Sequence, residues 1–248
     1  GFMAVGCFTL VPVELYKLSV TLQASLTSGI TGYGESFDAL SEEMDNWPTY
    51  YPADMTADEI KEDMLEHEEK EYDEHVWLSL KNAKTLCSSI ADALCEIDSK
   101  NADVYKKNLN EYTKNLDALD KEYQQVVNGA KYDTLVFGDR FPFRYMVDDY
   151  SLKYYAAFVG CSAETEASFE TIKFLANKVD ELGVTTVLTI EDPKHKIAQT
   201  VVENTKEKNQ KILALNSMQS VTSDDVKNGE TYLNVMQSNL DVLKQALN

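Results

Sequence analysis

From Leu80 onward the apolar positions of the chain follow a helical period first, then a helix-strand alternation. Leu80 to Ile97 reads as one helix and Ala102 to about Val127 as a longer one. The second carries Leu109, Tyr112, Leu116, Leu119, Tyr123 and Val126, whose 3-4-3-4-3 spacing lays a single apolar stripe along one face. Polar residues fill its other faces, and Gly129 stands where a C-cap belongs. At ~1.5 Å of rise per residue such a helix is roughly 40 Å long. From Thr134 the pattern becomes β-α-β-α, with strands predicted at Thr134–Gly138, Tyr154–Val159, Thr185–Ile190 and Lys211–Leu215. Helices are predicted at about Phe143–Tyr150, Ser168–Leu182 (closed by Gly183), Lys194–Lys206 and Glu230–Ala246. The last shows Leu233, Met236, Leu240, Leu243 and Leu247 as a second apolar stripe. Short apolar strands alternating with amphipathic helices imply a parallel sheet covered on both faces. The fold class is therefore α/β: a long linking helix plus a parallel-sheet lobe of about four strands, preceded by a mixed and irregular N-terminal part.

That N-terminal part is less patterned. Val11 to Leu26 alternates loosely, as one or two strands would, and Ser25 to Gly34 reads as loop, leaving residues 1–34 unassigned. Ser36 to Trp47 forms a short amphipathic helix stopped at Pro48, and Thr56-Ala-Asp-Glu is a capping box opening a helix to about Glu66. An acidic run, Glu66-His-Glu-Glu-Lys-Glu-Tyr-Asp-Glu-His75, then leads to the first long helix and reads most simply as a solvated tether. The resulting division is 1–34, 35–71, a helical segment 72–130 and an α/β lobe 131–248.

The formal net charge of -19 over 248 residues excludes nucleic acid as a partner, because phosphate binding needs a surplus of Lys and Arg. It suits cation capture, or simply solubility. Four cysteines (Cys7, Cys87, Cys95, Cys161) show no CxxC spacing. Cys87 and Cys95 sit eight residues apart on one predicted helix, about 12 Å, too far for a disulfide, and all four read as free. No stretch reads as a transmembrane span. The opening Gly-Phe-Met-Ala-Val-Gly-Cys has a faint lipobox look without a basic region before it, so an export signal is not seen and the chain reads as starting within a longer protein.

In a parallel sheet, ligands sit at the carboxyl ends of the strands. That directs attention to Asp139-Arg140, Gly160-Cys161, Glu191-Asp192 and Asn216-Ser217. No GxGxxG, P-loop, GxSxG or HExxH is present. A Cys161 nucleophile with His195 as base has only strand-end placement behind it, so the chain is not read as an enzyme.

His75-Val-Trp-Leu-Ser79, Phe137-Gly-Asp-Arg-Phe-Pro-Phe-Arg-Tyr145, Cys161-Ser-Ala-Glu-Thr-Glu-Ala-Ser168 and Asn228-Gly-Glu-Thr-Tyr-Leu-x-x-Met236 come in one order and spacing. Together they resemble the linking helix and C-terminal lobe of zinc- and manganese-specific solute-binding lipoproteins of bacterial ABC importers, over about residues 72–248. Met44-Asp-Asn-Trp-Pro-Thr-Tyr-Tyr-Pro52 with the acidic helix after it resembles the C-terminal end of ZinT-type zinc-binding domains, over about 35–67. The resemblance implies an extracytoplasmic, lipid-anchored protein that holds zinc, or manganese, in a cleft and hands it to an ABC permease. It also implies that the N-terminal lobe is missing, so that residues 1–67 or a second copy of the chain would cover the exposed face of the lobe.

Members of that family hold the metal with four side chains, two from each lobe, mixing His nitrogen with carboxylate oxygen. Carried across, the first ligand has no counterpart and the second matches His75. The third falls on Arg140, with Asp139 one residue away, and the fourth on Asn216. Arg is no ligand, and Asn offers only a weak neutral oxygen. The candidate metal residues are therefore His75, Asp139, Glu191 and Asn216, with Cys161 as a further donor. His67, eight residues before His75, joins them because acidic, His-bearing loops occur in zinc-uptake members of the family. Each has a plainer role as well: Asp139 pairing with Arg140 or Arg144, Glu191 as a turn residue before Pro193, Cys161 in the core. The function implied is divalent-metal capture through a truncated or degenerate site; the alternative is a scaffold module, or the product of a disrupted gene, that no longer binds metal.

Overall fold

The computed structural model describes residues 73, 75–158, 167–191 and 194–248. The ZinT-like stretch, residues 1–34, His67, Cys7, Cys161 and the Asp192-Pro193 turn lie outside them. Two compact units are present; the described part of one is Leu80–Lys121 with Ser223–Leu233. The described part of the other is Glu122–Thr222 and Asn234–Asn248, together with the residues up to Ser79.

The first unit is a helical hairpin. α1 (Leu80–Ile97) and α2 (Ala102–Asn128) are joined by a 3-10 turn at Ser99–Asn101. Lys84 on α1 meets Asp117 on α2 at 2.7 Å, a pairing that only an antiparallel arrangement allows. The predicted stripe is the inner face of α2, with Leu116 and Leu119 buried and Leu109 and Tyr112 half-buried. At the turn, the Asp98 carboxylate accepts from Asn101 Nδ2 (2.7 Å) and Tyr105 Oη (2.9 Å), which holds it below the usual carboxylate range. Cys95 carries a free thiol. α2 runs past Lys121, so its last turns belong to the second unit.

The second unit is built on a four-stranded parallel sheet: β1 (Thr134–Phe137), β2 (Lys153–Ala156), β3 (Thr186–Thr189) and β4 (Lys211–Ala214), in the order β2-β1-β3-β4. Between them run α3 (Arg144–Asp149), α4 (Phe169–Leu182) and α5 (Lys196–Glu203); after β4 come α6 (Ser223–Lys227), which belongs to the first unit, and α7 (Tyr232–Ala246), which belongs to the second from Asn234 on. The alternation along the strands sorts the core. Val136 and Val187 face Leu175, Ala176 and Val179 of α4 and Ala198, Val201 and Val202 of α5. Phe137 meets Phe141 and Phe143 instead, at ring separations of 5.0 and 5.7 Å. Tyr123 of α2 is fully buried, stacks on Tyr150 and donates its hydroxyl to Met236 O of α7 at 2.6 Å.

Local chemistry sets several ends. Ser168 caps α4, its Oγ accepting from Thr171 N, and Gly183 closes the helix at φ 65°, a conformation that disfavours a Cβ. Gly138 answers a different need. A Cβ there would lie 2.5 Å from Ala198 Cα, so α5 can pack against the end of β1 only because the side chain is absent. The strands are shorter than the sequence pattern suggests: β2 starts one residue earlier than predicted and ends at Ala156. α6, with no apolar periodicity, has no counterpart among the predicted helices.

Candidate metal centre

The chain order β1, β2, β3 places β1 between its two neighbours, so consecutive crossovers leave in opposite directions at the β1/β3 junction. Sheets of this kind open a crevice there, at the carboxyl ends. Asp139 bridges that junction. Its Oδ1 accepts from Arg140 N (2.8 Å) and its Oδ2 from Ile190 N of β3's end (3.4 Å), with Arg140 Nε at 3.9 Å. Glu191 makes the next tie. Its Oε2 accepts from Ser217 N and its Oε1 from Ser217 Oγ, both at 2.7 Å, and from Ser220 Oγ at 3.3 Å.

Ser217 is fully buried and organises the loop after β4. While Glu191 holds its N–H and hydroxyl, its carbonyl accepts from Trp77 Nε1 at 3.0 Å. Before it, the Asn216 side-chain oxygen accepts from Met218 N (2.7 Å), and Asn216 is held at both backbone groups by Asn239. That turn puts Met218 at φ 61°, with its side chain buried.

His75 reaches the same edge from the other end of the chain. It precedes a 3-10 turn, Val76–Leu78, that brings Trp77 onto Ser217. From α3, Tyr145 Oη donates to Asp73 O (2.8 Å), and Asp149 Oδ2 accepts from Ser79 Oγ (2.6 Å). The imidazole is 2% exposed, 5.3 Å from the Trp77 ring. Asp73 Oδ1 faces Nδ1 at 2.7 Å and accepts the His75 backbone N–H at 2.9 Å. A carboxylate only accepts, so Nδ1 carries a proton and points back at Asp73. A carboxylate behind one ring nitrogen, with the lone pair forward on the other, is how proteins orient a metal-ligating His. Here Nε2 lies within hydrogen-bond distance of Gln219 Nε2.

The sequence-derived residues thus separate into two kinds of position. Asp139, Glu191 and Asn216 stand at the strand ends and are engaged in tying loops together. The residue that the β4 loop presents to His75 is Gln219, three places beyond Asn216. Ser217 was among the strand-end residues that the sequence pointed to; Asp73 and Gln219 were not singled out. Asp73 lay in a run legible only as a tether, although a carboxylate two residues before a His is a usable signal. Among the described residues no three His, Cys, Asp or Glu side chains gather into a group able to hold a metal ion. A pocket of about 340 Å³ lies at the opposite, amino-terminal edge, lined among others by Tyr132, Asp133, Leu152 and Val184, and has no part in this centre.

The family of ZnuA, zinc-uptake complex component A, periplasmic, matches residues 29–246. The chain belongs to this family. ZnuA proteins are transport components, not enzymes. The chain is 33% identical over 175 residues to the zinc-binding lipoprotein AdcA of Streptococcus pneumoniae serotype 4, covering 71% of this chain and 34% of AdcA. It is 27% identical over 175 residues to the high-affinity zinc uptake system protein ZnuA of Bacillus subtilis, 71% of this chain and 53% of that one. It spans about a third of the length of the AdcA proteins. Among solved structures, the Zn(II)-bound ZnuA-like domain of S. pneumoniae AdcA superposes with a TM-score of 0.59 at 30% identity, covering 79% of this chain and 68% of that domain. The metal-dependent lipoprotein YcdH of B. subtilis gives 0.61 at 28% identity, over 71% and 64%. The parallel sheet and its helices are the ZnuA-like α/β lobe.

Proposed function

We propose that this ZnuA-family chain captures zinc as cargo outside the membrane and delivers it to an ABC permease, with His75 as its principal metal ligand. What supports this reading is the buried His75, with Nδ1 held by Asp73 and Nε2 facing the β4 loop. Imidazole nitrogen favours zinc over manganese, which prefers oxygen. Asp139, Glu191 and Asn216 are the nearest candidates by strand-end position, and each keeps lone pairs beyond the hydrogen bonds it accepts. His67, upstream in the acidic run, would add a second imidazole nitrogen to the set. An extracytoplasmic setting agrees with the family and with the net charge of -19. Among the described residues no helix is long and apolar enough to cross a membrane.

The second reading, a scaffold that has lost capture, is favoured by one feature. The third family position holds Arg140, and both strand-end carboxylates are already tied to loops. Calorimetric titration of zinc into metal-stripped protein separates the two. Capture predicts one-to-one binding that His75→Ala abolishes, with unchanged thermal unfolding of the apoprotein. Binding that is absent, or equal in both proteins, would leave the scaffold.

A further inference from the structure

We infer that Tyr145 and Asp149, one turn apart on α3, are positioning residues for His75: they grip the two ends of the turn that carries it and so set zinc affinity without touching the metal. This rests on the zinc reading of His75. Positions four apart on a helix lie on one face, one above the other. From that face Tyr145 Oη donates to Asp73 O (2.8 Å), two residues before His75. Asp149 Oδ2 accepts from Ser79 Oγ (2.6 Å), four residues after it. Between those points the chain closes on itself, with Leu78 N donating to His75 O (3.1 Å) and Ser79 N to Val76 O (3.4 Å). The turn is thus a compact piece, gripped at both ends by side chains 72 and 70 residues away in sequence.

The helix is a firm mount for that grip. Tyr145, Met146 and Val147 are buried. Ahead of α3, Phe141 and Phe143 pack on Phe137 of β1, and just behind it Tyr150 stacks on Tyr123 at 5.3 Å. α3 therefore follows the sheet, and the turn follows α3. Ser79 is fully buried, and its bond is short, as expected of a hydroxyl donating to a carboxylate. Hydrogen bonds fix direction as well as distance, which apolar packing does not. A binding side chain must be held within roughly 0.5 Å and 10–20° of its productive place, and the two bonds supply that constraint for His75. Losing an outer partner of a metal-ligating His weakens metal binding by about 10- to 100-fold. Tyr145 and Asp149 act one bond further out, so the lower end of that range applies to them.

The test uses the full chain with Trp47, its other tryptophan, replaced by Phe, so that Trp77 alone reports on the turn. In the metal-stripped protein, Tyr145→Phe and Asp149→Ala each raise acrylamide quenching of Trp77 fluorescence. Titrated with zinc chloride against a competing chelator, each binds about tenfold more weakly than the parent chain. Asp149→Asn, which keeps an acceptor without the charge, lies between. Ser79→Ala combined with Asp149→Ala binds no more weakly than the weaker of the two alone, because both remove the same bond. Tyr145→Phe and Ser79→Ala each delete one hydroxyl and keep the packing, so the result does not hang on Asp149→Ala folding. Unchanged quenching overturns the inference, and so do Ser79→Ala and Asp149→Ala losses that add. If the parent chain binds zinc through His75 and these variants bind it equally well, the inference alone falls. If the parent chain binds no zinc, or His75→Ala binds it as well, the zinc reading falls and takes the inference with it.

Discussion

Asp73 meets His75 twice, through the backbone N–H at 2.9 Å and through Nδ1 at 2.7 Å. The first bond fixes where the residue enters its turn, and the second fixes which nitrogen carries the proton. Tyr145 in turn holds the carbonyl of Asp73, so the orienting carboxylate is itself oriented. Without it the imidazole is free to take the other tautomer and turn its lone pair away from the β4 loop. Asp73→Ala should therefore lower zinc affinity by about 10- to 100-fold, the usual effect of losing such an outer partner. The measurement is a zinc titration with a competing chelator, alongside thermal unfolding of the apoprotein. An affinity loss with unfolding unchanged separates orientation from a folding defect. Equal affinity in both proteins would mean that Asp73 does not govern the ring.

Tyr123 shows how elements distant in sequence are joined. It lies on the last turns of α2, is fully buried, stacks on Tyr150 beyond α3 and donates to a carbonyl of α7. Burial, helped by the charge of Asp241, pushes its phenol well above the ordinary value of 10.0. The sign follows from proton counts. Above pH 10 the unfolded chain releases this proton and the folded chain does not, so stability falls as pH rises, by about 1.4 kcal/mol per unit for this group. Tyr123→Phe loses the hydrogen bond, costing about 0.5–1.5 kcal/mol at neutral pH, and with it this pH dependence. Denaturant unfolding should find the variant less stable at pH 7 and the gap closing, then reversing, above pH 10. A gap that is constant with pH would mean that Tyr123 ionises as freely in the folded chain as outside it.

For the whole molecule, the net charge of -19 acts at long range. Screening lengths are roughly 30 Å at 0.01 M salt and 8 Å at 0.15 M. If zinc is captured as proposed, its association should slow several-fold between those conditions, while dissociation, governed by short-range contacts, changes little. Stopped-flow mixing with a zinc indicator reads both rates. An association rate indifferent to salt would mean that the charge serves solubility alone.

What the sequence determined by itself was whatever depends on neighbours along the chain. The limits of α1 at Leu80 and Ile97, the inner face of α2, the Ser168 and Gly183 caps of α4 and the number and direction of the strands all follow from periodicity and from backbone preferences at single residues. Strand ends followed less closely, because hydrogen bonding with the adjacent strand decides where β2 stops. The sequence singled out His75 through its motif. Its partners were not legible, apart from a carboxylate two residues away. Gln219 stands 144 residues beyond His75, and only the β4 loop, clasped by Glu191 and Trp77 at Ser217, brings its amide to the ring. Strand-end position pointed to Asn216, two residues past the end of β4. The turn at Met218 carries the chain onward, so the side chain that arrives is the one three residues later. Local patterns specify which elements form and which faces are apolar, whereas the meeting of two side chains from opposite ends of the chain depends on loops whose path is set by tertiary hydrogen bonds.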